Sequence, residues 1–399
     1  MPRVSTYPRL VSGPRLRALP VPSGVGALSV LPDLRRALDG SGPAVAPHAL
    51  HSPPPPIPDD VGDLPPGLAL TIGTSGSTGR PKLAMLTSVA LRASADATHE
   101  RLGGQGQWLL TMPAHHIAGI QVLVRSLVAD TIPVSMDLAG GFTTAAFARA
   151  TGQIASGTTA YTALVPTQLV RLLASPDGRR SLARYDMVLL GGAAAADSLL
   201  AEAGDFGVRV VTTYGMSETA GGCVYDGRAL DVSHVRLEVD GRIRLGGATL
   251  AQGYLGDPAL SATAFVTDDT DRRWFRTDDV GHLDEGALVV DGRFDDLINT
   301  GGLKVVPRLV EEALAQLDAV GEAVVVGSPD PEWGQVVSAA IVVTQGSSPQ
   351  TLDDLRSQLR GVLPDHALPR RLVTLPELPL RGPGKPDRAA VRRLFDDSH

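Results

Sequence analysis

Residues Thr71–Met85 read TIGTSGSTGRPKLAM. The stretch holds three glycines, three threonines, two serines and one lysine. It continues an apolar run, LALTIG (Leu68 to Gly73), with the composition of a buried strand. A strand that feeds glycines and small hydroxyl side chains is the local anatomy of a site for an oxygen-rich ligand. Glycines let backbone N–H groups approach, hydroxyls donate hydrogen bonds, and a cation balances charge. The loop is not a Walker A motif, because Arg80 and Pro81 separate Gly79 from Lys82.

Outward from this loop, strand-like and helical runs alternate. Strands are expected at Trp108–Met112, Ala160–Val165, Met187–Leu190 and Val208–Thr212, with helices at Gly119–Ala129, Thr167–Ala174 and Ala194–Ala203. This spacing predicts an α/β fold with doubly wound layers. From about Val224 short strands and DG or EG turns take over (RLEVDGRIRLGG, GHLDEGALVVDGR), which predicts a β-rich subdomain built of hairpins. The last hundred residues read as a small α+β domain. In Pro307–Leu317 the residues Leu309, Val310, Ala313, Leu314 and Leu317 share one helical face, with Pro307 suited to the first turn. Strands are expected at Val324–Gly327 and Val336–Val343, and a helix at Leu352–Val362. The run SPPPPIP (Ser52 to Pro58) predicts an extended connector.

At 399 residues the chain is too long for one core, so more than one domain is expected. A hydrophobic share of 43% and a charged share of 20% are those of a globular protein. A net charge of −7 and 4% aromatic residues argue against nucleic-acid binding and for a small-molecule enzyme. One cysteine, Cys223, excludes a disulfide framework and a multi-cysteine metal site, and is expected to be a small buried hydrophobe. No run has the length of a membrane span, and the first twenty residues carry prolines and arginines where a signal peptide needs an apolar core. A soluble, cytoplasmic protein is expected, and a homodimer is the common state for such enzymes. Of the 36 basic residues only three are lysine: Lys82, Lys304 and Lys385. All three lie beside glycine or proline (GRPK, GGLK, GPGK), where a compact, mobile ammonium is a different tool from a guanidinium.

The motifs TSGSTGRPK, TTYGMSET, WFRTDD, GRFDDLINTGG and PLRGPGK, in that order from about Leu68 to Arg388, resemble those of the adenylate-forming superfamily. That superfamily includes acyl-CoA synthetases, luciferases and peptide-synthetase adenylation domains. The resemblance implies a large N-terminal domain, 1–294, and a small mobile C-terminal domain, 295–399, with a hinge at Asp295. It implies that Thr74, Ser75, Gly76, Ser77, Thr78, Gly79 and Lys82 hold the phosphates of MgATP. Gly191, Gly192 and Ala193, with Thr213, Tyr214, Gly215 and Ser217, would line the adenine and acyl-adenylate site. Glu218 would be the Mg2+ ligand, and an anionic oxygen suits a hard cation. Asp279 would accept from the ribose hydroxyls and Arg293 would reach the nucleotide. Asp278 stands where family members carry a glycine. Lys385 would stabilise the transition state of adenylation. After the hinge rotates, the Gly301–Gly302–Leu303–Lys304 loop would face the site while coenzyme A attacks.

In the acyl half, PAHHIAGIQVL resembles the family's FHxSG segment, with His116 at its histidine. The runs YTALVPTQLVRLL and TYGMSETAGGCVYDG resemble the o-succinylbenzoate–CoA ligases of menaquinone synthesis, in their compact actinobacterial form. A substrate with two carboxylates and a ketone needs donors, and His116, Thr162 and Gln168 are the candidates, with Arg125 a further one. The alternatives are a CoA ligase for another aryl or short acyl acid, a stand-alone adenylation enzyme, and a non-catalytic relative that binds nucleotide or acyl groups.

Overall fold

A computed structural model of the chain describes residues 15–57, 64–74, 82–344, 346–381 and 385–396. These fall into two compact units. The first is drawn from Met1–Arg236 and Arg244–Arg276, the second from Leu237–Ile243 and Thr277–His399.

In the first unit one sheet has the order β1-β2-β3-β4, comprising Leu16–Val21, Ala44–Ala49, Leu68–Thr74 and Lys82–Thr87. Strands β1, β2 and β3 run parallel, and β4 returns antiparallel to β3 with Thr74 opposite Lys82. Residues 15–50 therefore carry β1, β2 and the helix Leu31–Leu38, which the short apolar runs between prolines had concealed. The second sheet comprises β5 (Gln107–Leu110), β6 (Val134–Ser135), β7 (Ala160–Leu164), β8 (Met187–Leu190), β9 (Val210–Met216), β10 (Gly221–Tyr225) and β11 (Arg228–Ala229). Its order is β11-β10-β9-β8-β7-β5-β6. The pairs β6–β5, β5–β7, β7–β8 and β8–β9 are parallel, and β10 and β11 are antiparallel additions. Strands β5, β7 and β8 are largely buried and read as near-continuous runs (QWLL, AYTAL, MVLL), as strands covered on both faces should, whereas β9 is half-buried along most of its length. The helices Ile117–Val128, Pro166–Leu173 and Asp197–Asp205 alternate with these strands. The doubly wound α/β expectation holds, and observed ends lie within a few residues of those expected.

Trp108 and Tyr161 are fully buried in the larger core of this unit, with ring centroids 5.2 Å apart. Cys223 is also buried, and desolvation pushes its thiol up to about 12. It is inert, as expected of a small core hydrophobe.

The second unit has its own cores, one of them built on Ile298, Val310, Leu314, Val325 and Ile341. Its long hairpin pairs Val320–Asp330 with Gly334–Val343. The helix expected over Pro307–Leu317 spans Pro307–Ala315 and buries Val310, Ala313 and Leu314. Leu309 is 43% exposed, a correction to the five-residue face. An apolar stripe only about 100° wide needs no more than three or four positions per two turns. The C-terminal helix Arg388–Asp396 is tied to the rest of this unit by Arg388. Its guanidinium donates to both carboxylate oxygens of Glu311, at 2.6 and 2.9 Å, and to the Val325 carbonyl at 2.7 Å. Lys385 opens the two-residue strand just before this helix, paired antiparallel with Leu380–Arg381.

Candidate active site

In open α/β sheets ligands bind outside the carboxyl ends of the parallel strands. Strands β5, β7, β8 and β9 deliver predicted site residues to that one edge. After β5 come Pro113–His116, after β7 the helix start with Gln168, after β8 Gly191–Ala193. The end of β9 itself carries Thr213, Tyr214 and Gly215, followed by Ser217 and Glu218. Residues separated by about a hundred positions in sequence are thus neighbours because the strands between them are parallel.

The turn at the end of β9 is held from several sides. A Cβ on Gly215 would lie 2.2 Å from the Gly221 carbonyl oxygen, and its φ is +157°, so only glycine lets β9 and β10 approach this closely. The Thr219 hydroxyl accepts from the Met216 N–H and donates to the Gly221 carbonyl. Ser217 Oγ donates to the carbonyl of Gly73, the penultimate residue of β3, at 3.3 Å. That bond fastens the Glu218 turn to the stem of the glycine-rich loop. Glu218 is 6% exposed, and one of its carboxylate oxygens accepts from the Tyr254 hydroxyl at 2.8 Å. Behind the turn, Ser94 Oγ and Gln121 Nε2 both donate to the carbonyl of Ala220, which stands at φ +53°.

At the loop itself, Thr74 and Lys82 are the two stem residues, and Lys82 Nζ lies 5.7 Å from the centroid of the Tyr254 ring. Ser75, Gly76, Ser77, Thr78 and Gly79 lie outside the described residues.

The acyl-side candidates have distinct settings. His116 is exposed and precedes the helix Ile117–Val128, its ring 4.2 Å from that of His115. Desolvation lowers both imidazoles, His115 to about 4 with repulsion from His116 and His48 added. Thr162 is fully buried and its hydroxyl donates to the Leu109 carbonyl at 3.2 Å, which engages it in holding β7 to β5. Gln168 closes the first turn of its helix, its Oε1 accepting from the Val165 N–H at 3.0 Å. Arg125 sits in the last turn of its helix, buried beneath Trp108 at 4.9 Å and donating to the Tyr225 hydroxyl at 3.4 Å.

His99 belongs to the same buried group and accepts from the Trp108 indole at 3.3 Å. Desolvation, then the Arg125 charge, lowers it to about 4. The unfolded chain therefore binds more protons than the folded one between about pH 6.5 and 4, and stability falls as pH drops through that window. The melting temperature is expected to decline between pH 7 and 4.5. His99→Gln, which keeps an acceptor for Trp108 and removes the titration, should flatten the slope. A slope unchanged in that variant would show that His99 contributes nothing to it.

In the second unit the residues expected around a nucleotide form their own cluster. Asp279 and Arg293 are cross-strand partners, with Arg293 Nη1 3.8 Å from Asp279 Oδ1. Asp278 lies between two guanidiniums, 3.3 Å from Arg242 and 3.5 Å from Arg293. The extra carboxylate at the family's glycine position is thus balanced within its own unit. Arg293 also lies 4.0 Å from Asp295. The Phe294 ring is covered by the Arg242 guanidinium at 3.9 Å and by Lys304 Nζ at 4.8 Å. Gly301 and Gly302 form the two-residue turn between Ile298–Thr300 and Leu303–Val305, with φ of +58° and +82°. Positive φ at both centres is what a tight hairpin of right-handed twist requires.

Among the described residues no three of His, Cys, Asp and Glu come together as a metal cage. The one buried carboxylate at the strand edge fits Mg2+, which is commonly held by one or two carboxylates plus substrate phosphates and waters. A cavity of about 380 Å³, lined by Pro66, Gly67, Thr87 and Val89 among others, lies at the opposite end of β3 from Thr74 and takes no part in this site. Sequence reasoning missed Tyr254, Ser94, Gln121 and Arg242. The signal for Tyr254 was its place in LAQGYLGDP, another glycine-flanked turn.

The carboxyl edge of the second sheet, with its glycine-lined strand ends and the buried Glu218, is thus fastened to the Thr74–Lys82 stem of the first sheet. The AMP-binding enzyme model matches residues 36–292, and the AMP-binding enzyme C-terminal domain model matches residues 309–385. The chain belongs to the AMP-binding enzyme family. It is 46% identical over 390 residues to a Mycobacterium tuberculosis protein named "Probable 2-succinylbenzoate--CoA ligase", covering 95% of this chain and 98% of that one. It is 32% identical to the 2-succinylbenzoate--CoA ligase of Listeria innocua, covering 80% of this chain and 68% of that one. Among solved structures it shares its fold with ATP-bound MatB from Rhodopseudomonas palustris (TM-score 0.78, 21% identity, 98% and 90% of the two chains). It also shares it with o-succinylbenzoate CoA synthetase from Bacillus subtilis in complex with OSB-AMP (TM-score 0.72, 23% identity, 98% and 89%).

Proposed function

We propose that this protein ligates o-succinylbenzoate to coenzyme A in an ATP- and Mg2+-dependent reaction through an acyl adenylate, in menaquinone biosynthesis. The observation that carries this reading is the similarity, over 95% of this chain, to a relative named as such a ligase. The strand-edge cluster supports it, because it gathers the phosphate-loop stem, Glu218 and the glycines that would admit an adenylate.

In the first half-reaction a carboxylate oxygen of the acid attacks the α-phosphorus of ATP and pyrophosphate leaves. In the second the thiolate of coenzyme A attacks the acyl carbon, AMP leaves, and the thiol proton passes to solvent. A carboxylate is a poor electrophile, and AMP is a far better leaving group than oxide. Magnesium, when bound, neutralises phosphate charge, and Glu218 is the residue that would hold it. Thr74 to Lys82 would hold the departing pyrophosphate. Asp279 would accept from the ribose and Arg293 would reach the nucleotide. His116 would meet the acyl group, and its lowered basicity keeps it neutral near pH 7, a donor without a charge. Lys385 would balance the charge that develops between the acid and the α-phosphate. Rotation about Asp295 would then exchange Lys385 for the Gly301–Lys304 loop before thioester formation. A cytoplasmic homodimer is the state we assign to the enzyme, and among the described residues no helix is long and apolar enough to cross a membrane.

The test is pyrophosphate release across a panel of carboxylic acids. Release should be fastest with o-succinylbenzoate. Equal rates with benzoate or a fatty acid would overturn the substrate assignment.

A further inference from the structure

We infer that Tyr254 is a positioning residue for the ATP-bound metal, acting through Glu218 and braced against the phosphate-loop lysine. The inference rests on the adenylation reading above. Three sets of contacts carry it, all within the first unit.

The first is backbone. The segment Ala251–Leu255 is stitched between the Glu218 turn and β4, the strand that leaves the phosphate loop. The Ala251 N–H donates to the Glu218 carbonyl at 2.8 Å. The Gln252 N–H donates to the Met85 carbonyl at 2.8 Å, the Met85 N–H to the Gly253 carbonyl at 2.9 Å, and the Leu255 N–H to the Leu83 carbonyl at 2.8 Å. Tyr254 sits at the centre of this seam, opposite Ala84.

The second is the ring. Tyr254 is 5% exposed and meets Phe265 edge-on with centroids 5.7 Å apart. Its N–H donates to Ser261 Oγ at 2.8 Å. A ring so fixed leaves the hydroxyl little freedom of position. The third is the pair of charged neighbours. The hydroxyl donates to Glu218 Oε1 at 2.8 Å, and the ring lies 5.7 Å from Lys82 Nζ, within cation–π reach.

The last torsion of a glutamate is broad and roughly two-fold, so a donor fixed in place, as the Tyr254 hydroxyl is, favours one facing of the carboxylate. A buried tyrosine hydroxyl needs some partner. A partner chosen only for burial would be any carbonyl. Here it is Glu218, the one buried carboxylate among the described residues, and the same ring faces the stem lysine. Tyr254 thereby couples the orientation of the anionic ligand to the position of the phosphate-loop cation.

The experiment compares the full-length wild type with Tyr254→Phe, which keeps ring, packing and the Lys82 contact and deletes only the hydroxyl. Two readouts are taken besides thermal unfolding. One is the Mg2+ concentration for half-maximal pyrophosphate release. The other is Mn2+ binding to the enzyme–ATP complex without acyl acid, followed by water-proton relaxation. Loss of a partner that orients a metal ligand weakens metal binding about tenfold or more. Both metal affinities should weaken by that order while metal-saturated turnover stays within about threefold and the melting temperature is nearly unchanged. In a Glu218→Ala background, which removes both the carboxylate and the acceptor of the Tyr254 hydroxyl, the same change should leave Mn2+ binding unaltered. Unchanged metal affinity in Tyr254→Phe, whatever happens to melting, would reduce Tyr254 to a packing residue and overturn the inference. If wild type released no pyrophosphate with any acid, the adenylation reading would fall, and the Mn2+ comparison would still decide the role of Tyr254.

Discussion

Replacing Lys385 by alanine is expected to lower acyl-adenylate formation on the order of 10²–10³-fold, the usual effect of losing one preorganised electrostatic donor. Conversion of preformed acyl adenylate and coenzyme A to the thioester should be nearly unaffected. The asymmetry follows from the chemistry of the two steps. Negative charge builds between the acid and the α-phosphate only in the first, and the account assigns Lys385 to that step alone. Each half-reaction is measured separately, the first by pyrophosphate release and the second by AMP release from synthetic adenylate. Equal losses in both would contradict a lysine that leaves the site between them. The position is apt for such a role, because Lys385 opens a two-residue strand just ahead of a helix anchored by the Arg388–Glu311 pair. That anchor fixes the helix Arg388–Asp396 within its own unit.

Changing Glu218 to glutamine should also cut adenylation on the order of 10²-fold or more, since the metal it is proposed to hold supplies several kcal/mol of transition-state charge stabilisation. Glutamine keeps the shape of the side chain and an oxygen to accept from Tyr254, so folding should survive. Raising Mg2+ should restore part of the rate, because weaker binding can be offset by mass action. A variant with wild-type rate at low Mg2+ would remove Glu218 from metal binding.

The parts of this molecule that were legible in its sequence are those where local pattern determines the outcome. Met187–Leu190 is four apolar residues bounded by turn signals, and it is a buried parallel strand with the expected ends. The EG pair read as a turn in GHLDEGALVV is the hairpin turn Glu285–Gly286, with φ of +47° and +80° at its two centres. Gln168 illustrates an ambiguity that spacing alone could not resolve. VPTQL reads equally as a substrate wall or as a helix start, and its side chain caps the helix. What stayed hidden depends on chain segments far apart in sequence. Tyr254 meets Glu218 across 36 residues and Gln121 meets Ala220 across 99, and no local periodicity reports such pairs. The two strands described before Ser52 were obscured because a proline interrupts each of them, Pro20 and Pro47. Each strand takes its identity from its neighbours in the sheet rather than from its own composition.

In the proposed reaction the acid is activated as an adenylate before coenzyme A arrives. The most direct measurement repeats the acid panel with ATP and Mg2+ in the absence of coenzyme A, and identifies products by mass spectrometry. Pyrophosphate is expected together with the adenylate of o-succinylbenzoate, formed faster than that of any other acid. Release of ADP and phosphate, or no acyl adenylate until coenzyme A is added, would contradict the proposed reaction.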